Sequence, residues 1–363
     1  MDFALSDEQK MLEGSLRRLL SGRLPMQRRR AIVAAGGHDV ELADALRAQG
    51  IPGLVVRESY GGSGLTVLDA AITAESLGYH AVPAAFAASF VMAPLALQAS
   101  GTEVQQQEWL PKIAAGEVRI ALGFSSAIGQ TGVGEVACVN NRLSGRVQTV
   151  LDGAGATHVL VYLADGRPAL TAVGAEGVRT TAVASLDATR PLLDVTFAHA
   201  PTIVFAATNQ ADAARAHVLN AGRLMLAADT LGAAQSMLDQ AVAFAKQRVQ
   251  FGRLIGSFQA VKHTLADLAT SLEPCRALVW YAAHAQNALP DEARIAALHA
   301  KAHVDEVGRE VARLTTEVHG GMGFTDLLGL HFWYKRIAAN RQLLGTPERC
   351  RHEAAKLQGW TTS

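Results

Sequence analysis

The sequence predicts a mainly α protein with a small β domain in its middle, and three changes of texture along the chain carry that prediction. Residues 1–118 show helical spacing of apolar side chains, broken by turns at Gly36-Gly37, Ile51-Pro52-Gly53 and Gly61-Gly62. From 119 to 205 the runs become short and β-branched or apolar, at Thr157–Tyr162, Ala169–Val173 and Leu193–Phe197, set between Gly and Asp turns. Residues 206–363 return to long apolar stripes, Leu219, Leu224, Met225 and Leu231 and then Val261, Leu265, Leu268 and Leu272, the spacing of bundle helices. The expected domains are therefore helical over 1–118, β over 119–205 and a helical bundle over 206–363.

Individual elements follow from local chemistry. Ser6-Asp7-Glu8-Gln9 has the form of a capping box, opening a first helix with Leu12, Leu16, Leu19 and Leu20 on its inner face. Ala81–Gly101 holds no charged residue, but it is Ala-rich and contains Pro83 and Pro94, so it reads as a buried helical segment and not a membrane span. Gly61-Gly62-Ser63-Gly64 lacks the Lys and the strand of a phosphate loop and reads as a turn. Further along, Leu238, Ala241, Val242, Ala245 and Val249 continue one helical face. Arg248 thus falls near a helix C-terminus, where the dipole favours a cation and its planar fork suits a diphosphate.

Lys plus Arg and Asp plus Glu both total 33 in 363 residues, with no long block of one sign, so neither nucleic acid nor an anionic membrane is an expected partner. Small molecules are. Cys138, Cys275 and Cys350 are odd in number and lack metal or redox spacing, which fits a reducing cytoplasm. No basic region followed by an apolar run opens the chain, so no secretory signal is expected. His299 and His303 share one helix face at the spacing of a metal pair, yet no Glu follows His299 and no third ligand is evident, so no metal site is expected. Asp239 and Asp326 read as cap or surface residues.

A set of ordered motifs covers nearly the whole chain. Glu58-Ser59-Tyr60-Gly61-Gly62-Ser63-Gly64-Leu65 and Glu75-Ser76-Leu77-Gly78 come first, then Trp109-Leu110-Pro111-Lys112 with Gly116-Glu117, and Asp187-Ala188-Thr189-Arg190-Pro191. Lys246-Gln247-Arg248-Val249-Gln250-Phe251-Gly252 with Phe258-Gln259, and His319-Gly320-Gly321-Met322-Gly323-Phe324-Thr325, complete the series. Together they resemble the acyl-CoA dehydrogenase family, flavoenzymes that remove hydrogens from the α and β carbons of a CoA thioester. The resemblance implies an N-terminal helical domain, a small β-barrel domain and a C-terminal four-helix bundle, assembled as dimers or dimers of dimers. It also implies FAD as cofactor and electron-transfer flavoprotein as acceptor.

The same resemblance exposes what is missing. In the family a Glu takes the α proton while the flavin takes the β hydride. That Glu stands either before Gly-Thr near the C-terminus or before an Arg in the long helix ahead of the Gln-Arg-x-x-Phe-Gly motif. Leu344 fills the first position, ahead of Gly345-Thr346, and Gly222 the second, ahead of Arg223. Arg223 is retained and counts with the substrate-binding residues. The family's Thr-Glu-Pro-x-x-Gly-Ser, which holds the flavin ring, is replaced by Phe124-Ser125-Ser126-Ala127-Ile128-Gly129, where Ser125 and Ser126 keep hydroxyls.

In the family's dimers, the Arg and Phe of that motif and the Gly-Gly loop reach the FAD of the neighbouring subunit. This chain keeps those elements as Arg248, Phe251, Gln259, Gly320 and Gly321, whereas the family's Gln three residues before Gly-Gly is Glu317. The exchange loses an amide donor and adds negative charge at the adenine end, a location that argues against a displaced base. The leading expectation is a non-catalytic subunit of a heteromeric acyl-CoA dehydrogenase whose homologous partner supplies the Glu. The alternatives are an active homo-oligomer with another base, and a flavin-free scaffold or binding protein on the same fold.

Overall fold

The computed structural model describes residues 4–124, 136–206 and 211–361. The helices of the N-terminal part are α1 (Asp7–Arg23), α2 (Met26–Ala34), α3 (Val40–Ala48), α4 (Val67–Tyr79), α5 (Ala93–Ser100) and α6 (Glu103–Ala114). Eight strands follow: β1 (Ile120–Gly123), β2 (Ala137–Val139), β3 (Arg142–Val150), β4 (His158–Tyr162), β5 (Pro168–Ala172), β6 (Val178–Val183), β7 (Leu192–Pro201) and β8 (Ile203–Val204). The C-terminal part runs α7 (Ala211–Ala245), the strand pair β9 (Val249–Gln250) and β10 (Arg253–Leu254), α8 (Gln259–Ala288), α9 (Pro290–Val318), α10 (His331–Asn340) and α11 (Pro347–Leu357).

The chain packs into two compact units that interleave along the sequence. One comprises Met1–Arg29, Ala71–Val82 and Arg223–Ser363, the other Arg30–Ala70 and Pro83–Gly222. In the first unit, the capping box of α1 is present as expected, with Gln9 N–H donating to Ser6 Oγ and Leu16 and Leu20 buried. Gly78 of α4 and Gly232 of α7 let two helix backbones touch: a Cβ on Gly78 would lie 2.0 Å from the Asp229 carbonyl oxygen, and one on Gly232 1.9 Å from that of Glu75. Nothing larger than hydrogen fits at either place. The crossing is then fixed by buried polar bonds, with Arg336 of α10 donating from Nη2 to Asp229 at 2.7 Å and from Nη1 to the Val82 carbonyl at 3.0 Å. Lys301 and Asp305 form a fully buried ion pair on α9, and Lys301 Nζ also donates to the Asn340 carbonyl at 2.9 Å.

In the second unit the β part is not a closed barrel. It forms two four-stranded sheets, ordered β1-β4-β5-β8 and β2-β3-β7-β6, in which β1 and β4 are parallel and the remaining pairs antiparallel. Both sheets feed one apolar core through Val147, Val150, Val159, Val161, Val195 and Phe197. Among the described residues closure fails at the joins, where the one bridge between β1 and the end of β3 is the isolated pair Leu122↔Leu151. The uncharged segment forms a buried π-helical turn, Ala87–Met92, running into α5. Its start is capped by buried Asp152, which accepts from the amides of Phe86, Ala88 and Ser89 at 2.8–3.0 Å. Gly61–Gly64 is a turn folded back on the preceding chain, with Gly64 N–H donating to the Val56 carbonyl at 2.8 Å. Among the described residues no helix is long and apolar enough to cross a membrane.

Candidate active site

Both positions expected to carry a catalytic Glu hold buried residues without an acid. Gly222 is buried within α7, one residue before Arg223. Leu344 is 4% exposed in the loop between α10 and α11, at φ +57°, and is followed by Gly345 at φ +112°. Such a turn is set by what holds it. Arg223, itself 1% exposed, donates from Nε to the Leu344 carbonyl at 2.9 Å and from Nη2 to Glu353 Oε2 at 2.8 Å. Arg294 donates to the other Glu353 oxygen at 2.8 Å. Burial alone would push the Glu353 carboxyl up, but the two guanidinium groups outweigh it and hold it below the usual range.

That arrangement can orient a loop and cannot take a proton from carbon. Glu353, the acidic side chain bonded to Arg223, is held ionised by two cations and so is a weak base. Sequence reasoning missed both Glu353 and Arg294, which lie outside every quoted motif. Arg223, expected among the substrate-binding residues, has its guanidinium engaged within the chain. Ser125 and Ser126 lie outside the described residues.

The second group of expected residues lies on the surface of the same unit. The helical pattern extended through Val249 in the sequence, but α7 ends at Ala245, and Val249 belongs to the hairpin β9–β10. Arg248 closes the helix, its amide donating to the Phe244 carbonyl at 2.9 Å, and its side chain is exposed. Phe251 and Gly252 form the hairpin tip at φ +53° and +73°, with the Phe251 ring 91% exposed. Gln259 opens α8 and is exposed.

At the far end of the sequence, Gly320 and Gly321 begin a short turn after α9, and a Cβ at either would meet nothing within 4 Å. Glu317 is paired with Arg313 at 2.7 Å on the exposed side of α9. Buried His319 ties this turn to the end of α7, stacking on Phe244 at 4.6 Å while its Nδ1 bonds the Thr315 carbonyl at 2.7 Å. The fold thereby brings residues near 248 and near 320 together. An exposed guanidinium, an aromatic ring and an open diglycine backbone are groups that can hold a phosphate and stack on a planar ring. His319 opens one of the quoted motifs but was given no role of its own from sequence, and Phe244 was not singled out, since neither carries a local pattern that reports the contact between them.

The other candidates keep structural roles. Asp239 accepts from Tyr79 Oη at 2.9 Å, and Asp326 lies 3.5 Å from His331. His299 and His303 are exposed, and among the described residues no cluster of three or more His, Cys, Asp or Glu could hold a metal.

Comparison with known proteins identifies the family. The domain described as acyl-CoA dehydrogenase, N-terminal domain, matches residues 6–117, and the acyl-CoA dehydrogenase C-terminal domain matches residues 212–357. The chain belongs to the acyl-CoA dehydrogenase family. It is 30% identical over 345 residues to the acyl-CoA dehydrogenase IpdE2 of Mycolicibacterium smegmatis, covering 94% of this chain and 96% of that protein. Among solved structures, a variant of the Tcur3481-Tcur3483 steroid ACAD superposes with a TM-score of 0.87 at 28% identity, covering 97% of this chain and 98% of that one. The ChsE4-ChsE5 complex from Mycobacterium tuberculosis gives a TM-score of 0.88 at 25% identity, covering 100% of both chains.

Proposed function

We propose that this chain is the non-catalytic subunit of a heteromeric acyl-CoA dehydrogenase, paired with a homologous chain that supplies the Glu base and the main flavin bed. The observation that carries the reading is that neither expected base position offers an acid: Leu344 is buried in its loop, Gly222 is buried within α7, and Glu353 is pinned by Arg223 and Arg294. The exposed hairpin supports it from the other side, because a Phe ring 91% exposed in a left-handed turn has little to do within its own chain. Arg248, Phe251, Gln259, Glu317, Gly320 and Gly321 hold the nucleotide end of the partner's FAD, and Arg223 positions the loop around Leu344. When bound, the flavin supplies the acceptor for the β hydride. Electron-transfer flavoprotein takes the electrons onward.

Two of the matched structures are named as two-component assemblies, one of them a steroid ACAD. By that analogy the substrate is a bulky CoA thioester such as a steroid-derived acyl chain. The test is flavin content and native mass for the chain expressed alone and co-expressed with an acyl-CoA dehydrogenase homologue that carries the Glu. Flavin held only in the mixed assembly is expected. Stoichiometric flavin in a homo-oligomer that turns over a CoA thioester would overturn the proposal.

A further inference from the structure

Arg119, just before β1 in the second unit, is anchored at its root and left uncommitted at its tip. Its amide donates to Thr157 Oγ1 at 3.1 Å, and its Nε donates to the Gly155 carbonyl at 2.7 Å. Among the described residues its terminal nitrogens meet no carboxylate. The side chain lines a cleft of about 190 Å³ whose apolar wall is made by Ala43, Leu46, Pro52, Ala85 and Phe90.

Other charged groups around the cleft are already engaged. Asp44 pairs with Arg47 at 2.9 Å, and Asp39 caps α3, accepting from the Leu42 amide at 2.6 Å. Asp39 therefore faces the positive end of a helix, and Asp44 is matched within its own turn. His38 lies flat on Gly155, where a Cβ would come within 2.8 Å of the ring. Burial, and secondarily Arg119, push its pKa down, so near neutral pH it offers a ring nitrogen without adding charge. Arg119 remains as the uncompensated cation beside an apolar wall.

We infer that this cleft binds a small organic carboxylate with a compact apolar body, the carboxylate on Arg119 and the body against Leu46, Pro52 and Phe90. A guanidinium fork matches a carboxylate in shape and charge, and a partly desolvated site strengthens that pair. The volume is below the roughly 300–1,000 Å³ of a drug-sized pocket, so the ligand is small. An inorganic anion would leave the apolar wall unused. The inference stands independently of the dehydrogenase reading.

The experiment is calorimetry and saturation-transfer NMR on the full chain with cyclohexanecarboxylate, using cyclohexylmethanol and cyclohexylmethylamine as neutral and cationic controls. Saturable binding of the acid is expected, with the controls and Arg119→Gln each weaker by about tenfold or more. Since Arg119 also braces the Gly155 loop, Ala43→Leu provides a second variant that narrows the cleft and keeps the cation. It should weaken the acid comparably while leaving the melting temperature unchanged. Equal binding of acid and alcohol, no saturable binding of the acid, or wild-type affinity in both folded variants would overturn the inference.

Discussion

Phe251→Asn should move the stability of this chain and its hold on a partner's flavin in opposite directions. Phe251 and Gly252 are the central pair of a two-residue hairpin loop, both at positive φ, the geometry for which Asn-Gly is the favoured sequence. A left-handed conformation costs an L-residue with a bulky side chain roughly 1–2 kcal/mol, and Asn relieves much of that by bonding locally. At 91% exposure the Phe ring recovers almost nothing by packing within the chain, beyond an edge contact with Phe258 at 6.2 Å. The variant expressed alone should therefore gain about 1 kcal/mol, or roughly 2–4 °C in melting temperature for a cooperative unit of 150–250 residues. The proposed mixed assembly would bury the ring, and burial of a Phe is worth about 1.5–3 kcal/mol. Losing it should weaken flavin retention or assembly by roughly 10–150-fold. Differential scanning fluorimetry of the single chain and flavin-release titration of the assembly measure the two halves. A lower melting temperature with unchanged flavin retention would refute the reasoning.

Other perturbations test the framework beneath the site. Gly232→Ala places a Cβ 1.9 Å from the Glu75 carbonyl oxygen, so the α4–α7 contact must open; a loss at or above the roughly 1–3 kcal/mol usual for overpacking is expected in urea unfolding. Lys301→Met leaves Asp305 buried without its cation and should cost about 3–5 kcal/mol, and adding Asp305→Leu should restore most of it. A single variant as stable as the wild type would show that the carboxyl is neutral in the fold. His80 has its pKa lowered to about 4, first by burial and then by Arg29 and Arg17. Because its folded pKa lies below the unfolded value near 6.5, its contribution is complete above pH 6.5 and is lost as pH falls toward 4. Urea midpoints should fall across that window and fall less in His80→Phe; parallel curves would exclude His80 as the cause.

Periodicity located the elements well, for reasons visible in particular residues. Ser6 and Gln9 form a closed local circuit, so the start of α1 could be read without tertiary context. The runs Thr157–Tyr162 and Ala169–Val173 correspond to β4 and β5 within one residue at either end, because their β-branched and apolar side chains supply the core of the sheet. The end of α7 was misplaced because Val249 fits the helical face by spacing alone. What stops the helix is the hairpin that follows, whose two left-handed residues include a Phe, a residue that gives no turn signal. Sheet closure was equally invisible, since it depends on strand pairing at the joins and not on any strand's own pattern.

The candidate site was legible only through comparison of motifs, and the geometry explains how a residue without an acid can stand at 344 with no local scar. A Glu replaced by Leu in a buried loop would normally disturb the turn, because Leu344 must still occupy a left-handed conformation. Arg223 compensates by bonding the carbonyl of residue 344, a group that every amino acid carries, and Glu353 neutralises Arg223 from α11. The support for the loop is therefore independent of the side chain at 344. On the proposed reading this separates folding from catalysis at that position, since the loop's support needs no acid there. The same logic makes Glu353→Gln informative. It should leave Arg223 buried with its charge less compensated, costing about 1–3 kcal/mol, and should loosen the loop without creating a base. If that variant instead acquired α-proton exchange on a CoA thioester, the assignment of the loop as a closed half-site would fail.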